Sequence, residues 1–169
     1  MTNSFPRLLG DIGGTNARFS AIPVGDLKSR YEFNHSVEEH PEFADLVVDL
    51  LTEITAATGW NNPPISACFA VACPADVEEI SFTNSHWHFT KTQLKQLLGC
   101  QELFVINDFE AVAHGITELT DNDLVQVGGD KPISTKPIGI LGAGTGLGVA
   151  GLVPTANGYQ VLDSRGRPT

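Results

Sequence analysis

The chain has 169 residues, enough for one domain to bury a full core, and its 41% hydrophobic content is ordinary for a soluble globular protein. Twenty acidic residues against ten basic ones give a net charge of −10, with no basic run, which argues against nucleic acid as a partner. An anionic ligand would then be held by backbone N–H groups and a metal ion rather than by a basic patch. No charged-then-apolar leader opens the sequence, and no apolar stretch approaches the ~20 residues that span a bilayer. The expectation is a cytoplasmic protein with no membrane partner. Cys68, Cys73 and Cys100 lie in or beside apolar segments without a second pair or nearby histidines, so they read as buried free thiols of a reducing compartment.

In chain order, residues 7–11 form a short apolar strand, followed by a Gly13-Gly14 turn and an alternating strand over 16–22. Two strands joined by paired glycines predict a β-hairpin. A third strand is expected over 30–36. Residues 41–58 carry a helical apolar face of Phe43, Leu46, Val47, Leu50, Leu51 and Ile54, with Pro41 in the first turn and Gly59 past the end. The run 65–72 is almost continuously apolar, as in a strand buried on both faces. A short strand over 79–83 and a helix over 90–98, capped by Thr90 and stopped by Gly99, come next. A buried strand over 103–106 then leads into a helix over 108–119.

Composition changes at Asp121-Asn122-Asp123, which sets the predicted domains at 1–120 and 121–169. Strands are expected over 138–141, 149–154 and 159–162. The order strand, glycine turn with Thr, strand occurs twice, at 8–22 and at 138–154, which suggests two related halves that each offer a glycine hairpin to a shared cleft.

Four groups carry chemistry. In Asp11-Ile12-Gly13-Gly14-Thr15-Asn16, positive φ at the glycines would turn N–H groups toward one point as an anion nest, with Asp11 placed to hold a hydrated divalent cation; a plain hairpin turn also fits these residues. Gly142-Ala143-Gly144-Thr145-Gly146-Leu147-Gly148 lacks the Lys-Ser/Thr of a P-loop, and residues 149–153 have no helical period, so a dinucleotide fingerprint is excluded. It reads as a second phosphate-facing hairpin. Asn107-Asp108-Phe109 joins a buried strand to a helix, where a carboxylate could act as general base on a substrate hydroxyl or simply cap the helix. Finally, Thr83 and Asn84 could line a sugar pocket with Trp87 as its wall, and His86 and His88, without acidic or thiol neighbours, read as surface residues.

Leu9-Gly10-Asp11-Ile12-Gly13-Gly14-Thr15-Asn16-Ala17-Arg18, Ala72-Cys73-Pro74, Thr83-Asn84 with Trp87, Ile106-Asn107-Asp108-Phe109 and the run 142–148 occur in this order. Together they resemble the bacterial glucokinase family over residues 7–161. The resemblance implies an α/β fold of the ribonuclease H-like, actin-like ATPase type: an N-terminal domain with a mixed sheet flanked by helices, plus the incomplete start of a second related domain. It implies ATP-dependent phosphorylation of glucose at the 6-hydroxyl, with ATP and Mg2+, in a usually homodimeric cytoplasmic enzyme.

By that resemblance Asp108 is the catalytic base, while Asn107, Thr83 and Asn84 contact the sugar. Gly13, Gly14, Thr15 and Asn16 form the first phosphate loop, with Asp11 near Mg2+ through water; Gly144, Thr145 and Gly146 form the second loop. The family continues past Leu162 with a Glu-Gly-Gly-His element that holds further sugar hydroxyls, where this chain reads Asp163-Ser164-Arg165-Gly166-Arg167-Pro168-Thr169. Weak or absent phosphorylation by this polypeptide alone is therefore expected. A non-catalytic sugar- or phosphate-binding remnant, or a kinase for another sugar or phosphoryl donor, are the alternatives.

Overall fold

The computed structural model describes residues 6–26, 30–82, 85–130, 133, 135–143, 147–163 and 168. Backbone contacts divide the chain into two compact units, residues 1–107 and 108–169. The helix over 108–116 thus groups with the second unit, although the change of composition lies further on, at Asp121.

The first unit is built on a five-stranded sheet. Its strands are β1 (Arg7–Ile12), β2 (Asn16–Ile22), β3 (Tyr31–Ser36), β4 (Ser66–Val71) and, last in the sheet, a strand over Glu102–Asn107. Between them come α1 (Phe43–Thr58), a small two-stranded ribbon of β5 (Glu79–Ser81) and β6 (His88–Thr90), and α2 (Lys91–Leu98); the strand Glu102–Asn107 is β7. The sheet order is β3-β2-β1-β4-β7, with β1, β2 and β3 antiparallel and β4 and β7 running parallel to β1.

Alternation decides which side is core. Along β1, Leu8, Gly10 and Ile12 are buried while Arg7, Leu9 and Asp11 are exposed, the period-2 signature of a pleated strand. Phe19 and Phe69 come from the flanking strands to the same core. The core is completed by α1, through Phe43, Leu46, Val47, Leu50 and Ile54, and by Leu94 and Leu98 of α2. Pro41 precedes α1 by two residues, and Glu42 holds the N-cap position without a side-chain bond. The other ends follow the sequence closely. Thr90 and Gln93 form a reciprocal capping box, and Gly59 and Gly99 close α1 and α2 at φ of 73° and 64°, values that cost an L side chain energy but not glycine.

The second unit has α3 (Asp108–Ile116) on a three-stranded antiparallel sheet of β8 (Ile138–Ala143), β9 (Leu147–Thr155) and β10 (Gly158–Leu162). Its core is Ala113, Ile140, Ala150, Leu152 and Val161, with Phe109 and Ile116 packed against it. Phe109, Ala113 and Ile116 are spaced to share one helix face. This packing is why α3 belongs with the second sheet. No helix among the described residues is long and apolar enough to cross a membrane.

Gly10 sits where two aromatic rings converge. Phe19 and Phe69 meet edge to face across it at 5.6 Å, and a methyl at Gly10 would lie 2.9 Å from Phe69 Cδ1 and 3.0 Å from Phe19 Cε1. Gly10→Ala is expected to cost about 1–3 kcal/mol through overpacking, read as a lower urea midpoint at unchanged m-value.

Candidate active site

The site begins with register. Ile12 pairs with Val71, and Val71 pairs with Asn107. The three parallel strands β1, β4 and β7 therefore end in one row, and the chain leaves the sheet there three times: at residues 13–15, at residues 72–74 and after Asn107. In open α/β sheets the carboxyl ends of strands are where ligands bind.

The turn over 13–15 is held from three sides. Gly13 N–H donates to Asn16 O at 2.9 Å, closing the hairpin, and Val37 N–H donates to Thr15 O at 3.0 Å. Ala72 N–H donates to Ile12 O at 3.3 Å, tying the end of β1 to the turn after β4. The turn is not the expected positive-φ nest. Glycines at positive φ occur at Gly25, Gly59, Gly99, Gly128, Gly129 and Gly158, and neither Gly13 nor Gly14 is among them. The reason is the hairpin itself: Gly13 N–H is spent on strand closure, so an anion here would be left the amides of Gly14 and Thr15 and the Thr15 hydroxyl.

Asp11 points away from the core, and its Oδ2 lies 3.5 Å from Arg18 Nη1 on the paired strand. Both side chains are at least 60% exposed, so this pair contributes little to stability and leaves the carboxylate accessible. Asn107 is anchored differently. Its Nδ2 donates to Cys73 O at 3.3 Å and to Val71 O at 3.5 Å, which clamps the end of β7 to the turn after β4 and fixes the amide orientation. Asp108, in the second unit, opens α3, and its Oδ1 accepts from Phe109 N–H at 2.9 Å.

Other expected residues fall elsewhere. Thr83, Asn84, Gly144, Thr145 and Gly146 lie outside the described residues. Trp87 is not a pocket wall. It is 1% exposed, packs edge to face on Phe43 and Phe82, and donates Nε1–H to His40 O at 2.8 Å. With its one polar atom satisfied, its large ring is more stable in the core than lining a wet cleft. His86, exposed as its sequence surroundings suggest, has Nε2 3.2 Å from the same carbonyl. Among the described residues no group of three or more His, Cys, Asp and Glu could hold a metal. Residue types alone point to no role for the Val71 and Cys73 carbonyls, because backbone acceptors leave no mark on side-chain identity; the readable signal was the apolar run ending in Cys73-Pro74.

A mixed sheet with this strand order, with helices on its core side and a glycine hairpin at the ends of its parallel strands, is that of the actin-like ATPases. A glucokinase from an Antarctic psychrotroph superimposes over 95% of this chain and 50% of its own, with a TM-score of 0.78 and 33% identity. The glucokinase of Balamuthia mandrillaris, solved in complex with glucose, shares the fold at a TM-score of 0.72 and 21% identity, over 95% of this chain and 47% of its own. The glucokinase family model matches residues 8–167, and the chain belongs to that family. Glucokinases of Helicobacter pylori and Tolumonas auensis are 39% and 38% identical over 98% and 94% of this chain. The chain spans about half the length of these relatives, 48% of each.

Asn107→Ala removes both carbonyl contacts at the strand row. It is expected to destabilise the first unit by about 1–2 kcal/mol, the usual cost of leaving partly buried acceptors unpaired, as measured by urea unfolding.

Proposed function

We propose that the chain carries the phosphate-gripping hairpin and the general base of a glucokinase, the enzyme that moves the γ-phosphoryl group of ATP to the 6-hydroxyl of glucose. The observation that carries this reading is the row of Ile12, Val71 and Asn107, which brings the 13–15 turn and the residue before Asp108 to the same sheet edge. Family membership supports the substrates.

The residues fit the groups the reaction needs. Mg2+ is commonly bound by one or two carboxylates plus waters and substrate phosphates rather than by a protein cage. The accessible Asp11 carboxylate beside the glycine turn suits that mode, holding the ion through water, and the absence of a three-ligand cluster among the described residues is compatible with it. Bound there, the ion would neutralise phosphate charge.

The chain's own groups do the rest. Asp108 takes the proton of the glucose 6-hydroxyl as that oxygen bonds to the γ-phosphorus, and the bond from the γ-phosphorus to the oxygen that bridges it to ADP breaks. Asn107, its Nδ2 held by Val71 and Cys73, presents Oδ1 to a sugar hydroxyl, and Thr83 and Asn84 are assigned to the same sugar on family grounds. In the first unit the Gly14 and Thr15 amides and the Thr15 hydroxyl receive phosphate, since Gly13 N–H is bonded to Asn16 O, and the Gly144-Thr145-Gly146 loop is assigned to phosphate on family grounds. Such a reaction depends on positioning and on fixed dipoles around spread negative charge more than on covalent chemistry. A cytoplasmic location and a homodimer belong to the same proposal, on family grounds.

A coupled assay for glucose 6-phosphate tests it. The chain should turn over well below the ~1–100 s−1 of ordinary kinases, since misplacement of sugar groups alone can cost ~10²-fold. Whatever glucose-dependent rate is seen should fall by ~10²–10⁴ in Asp108→Ala. A rate that survives this substitution removes Asp108 as the base.

A further inference from the structure

The glycines that flank the second loop have a use that phosphate binding does not explain. Gly142 and Gly148 are cross-strand partners in the β8–β9 hairpin. A methyl on Gly142 would lie 2.7 Å from Phe109 Cε1 and closer still to Cζ, and a methyl on Gly148 would overlap Cδ2, Cε2 and Cζ of the same ring. Neither glycine is at positive φ, so what the position demands is space and not an unusual backbone. The same hairpin supplies its own control. Gly139 and Gly151 are also partners, yet a methyl on Gly139 meets nothing within 4 Å and one on Gly151 meets only ordinary contacts from 3.7 Å. Among the described glycines of this hairpin the tight seat is confined to the pair beneath Phe109.

That ring sits one residue after Asp108. Phe109 lies in the first turn of α3, where backbone N–H groups have no partner within the helix, and its N–H donates to Asp108 Oδ1 at 2.9 Å. A carboxylate held by one amide is only as well placed as that amide. We infer that Phe109 is a positioning residue for the general base: its ring, seated on the bare backbone of Gly142 and Gly148, fixes the amide that orients the Asp108 carboxylate. The inference rests on the reading of Asp108 as base. It gives the two glycines a task distinct from binding phosphate, and it couples the β8–β9 hairpin to the reacting carboxylate within one unit.

The test uses the 169-residue chain with Gly148→Ala, Phe109→Ala, both together, and the size swap Gly148→Ala with Phe109→Leu. Two readouts are needed: unfolding equilibria, and NMR resonances of the position-109 amide proton and of 13Cγ of Asp108. Gly148→Ala should change the unfolding constant about tenfold or more when the ring is present and less than about threefold when Phe109 is already Ala, as coupled neighbours do. It should also move the position-109 amide and the Asp108 13Cγ resonance, and the size swap should bring both back toward their original positions. A general loss of stability would not move those resonances in the molecules that remain folded. Additive effects on unfolding, or an Asp108 13Cγ resonance unmoved by Gly148→Ala, overturn the inference. Failure of the base assignment is read separately, as glucose phosphorylation that survives Asp108→Ala while the coupling stands.

Discussion

Both sheets depend on a strip of backbone with no side chain on it, against which an aromatic ring lies. In the first unit the strip is Gly10, and the rings of Phe19 and Phe69 close over it from the two neighbouring strands. In the second it is the pair Gly142 and Gly148, under Phe109. Interiors are packed densely enough that a single added methyl is felt, so these glycines are constrained by volume. The first pair of rings packs β2, β1 and β4 into one core, while the backbone ladders set the row in which Ile12, Val71 and Asn107 end. The second seats the start of α3, and with it Asp108.

These contacts give a physical reason for glycine-rich motifs that look purely functional. The 13–15 turn stands at the strand row set by the β1–β4 and β4–β7 ladders, and it is closed by ordinary hairpin bonding. What it offers a phosphate is a few amides and a hydroxyl, beside an accessible carboxylate. In a chain with net charge −10, such fixed dipoles with a cation are what the proposed polyphosphate site would rely on.

Much of this was legible in the sequence because it is local. The β1–β2 hairpin, the buried face of α1, the Thr90 cap and the glycine stops of both helices follow from spacing and from the few residues each position tolerates. The parallel strand β4 was readable from its unbroken apolar run. The motif residues were recognisable in order, and Asn107 and Asp108 do stand at a strand end and a helix start. What was not legible depended on distant partners. Trp87 stands between polar residues and so resembles a pocket wall, but Phe43, Phe82 and the His40 carbonyl surround it. The strand β6 exists only because β5 pairs with it, and α3 joins the second unit because Phe109, Ala113 and Ile116 match that sheet. Positive φ at Gly13 and Gly14 was a sound inference from residue type, but glycine permits that conformation without requiring it.

Whether the β1–β2 turn grips the phosphates of ATP is tested most directly by titrating the 15N-labelled chain with Mg-ATP. Saturable shifts of the Gly14, Thr15 and Asn16 amides, lost when Gly14→Val crowds the turn, are the predicted result. ATP-induced shifts confined to other segments, or an unchanged response in Gly14→Val, would contradict it.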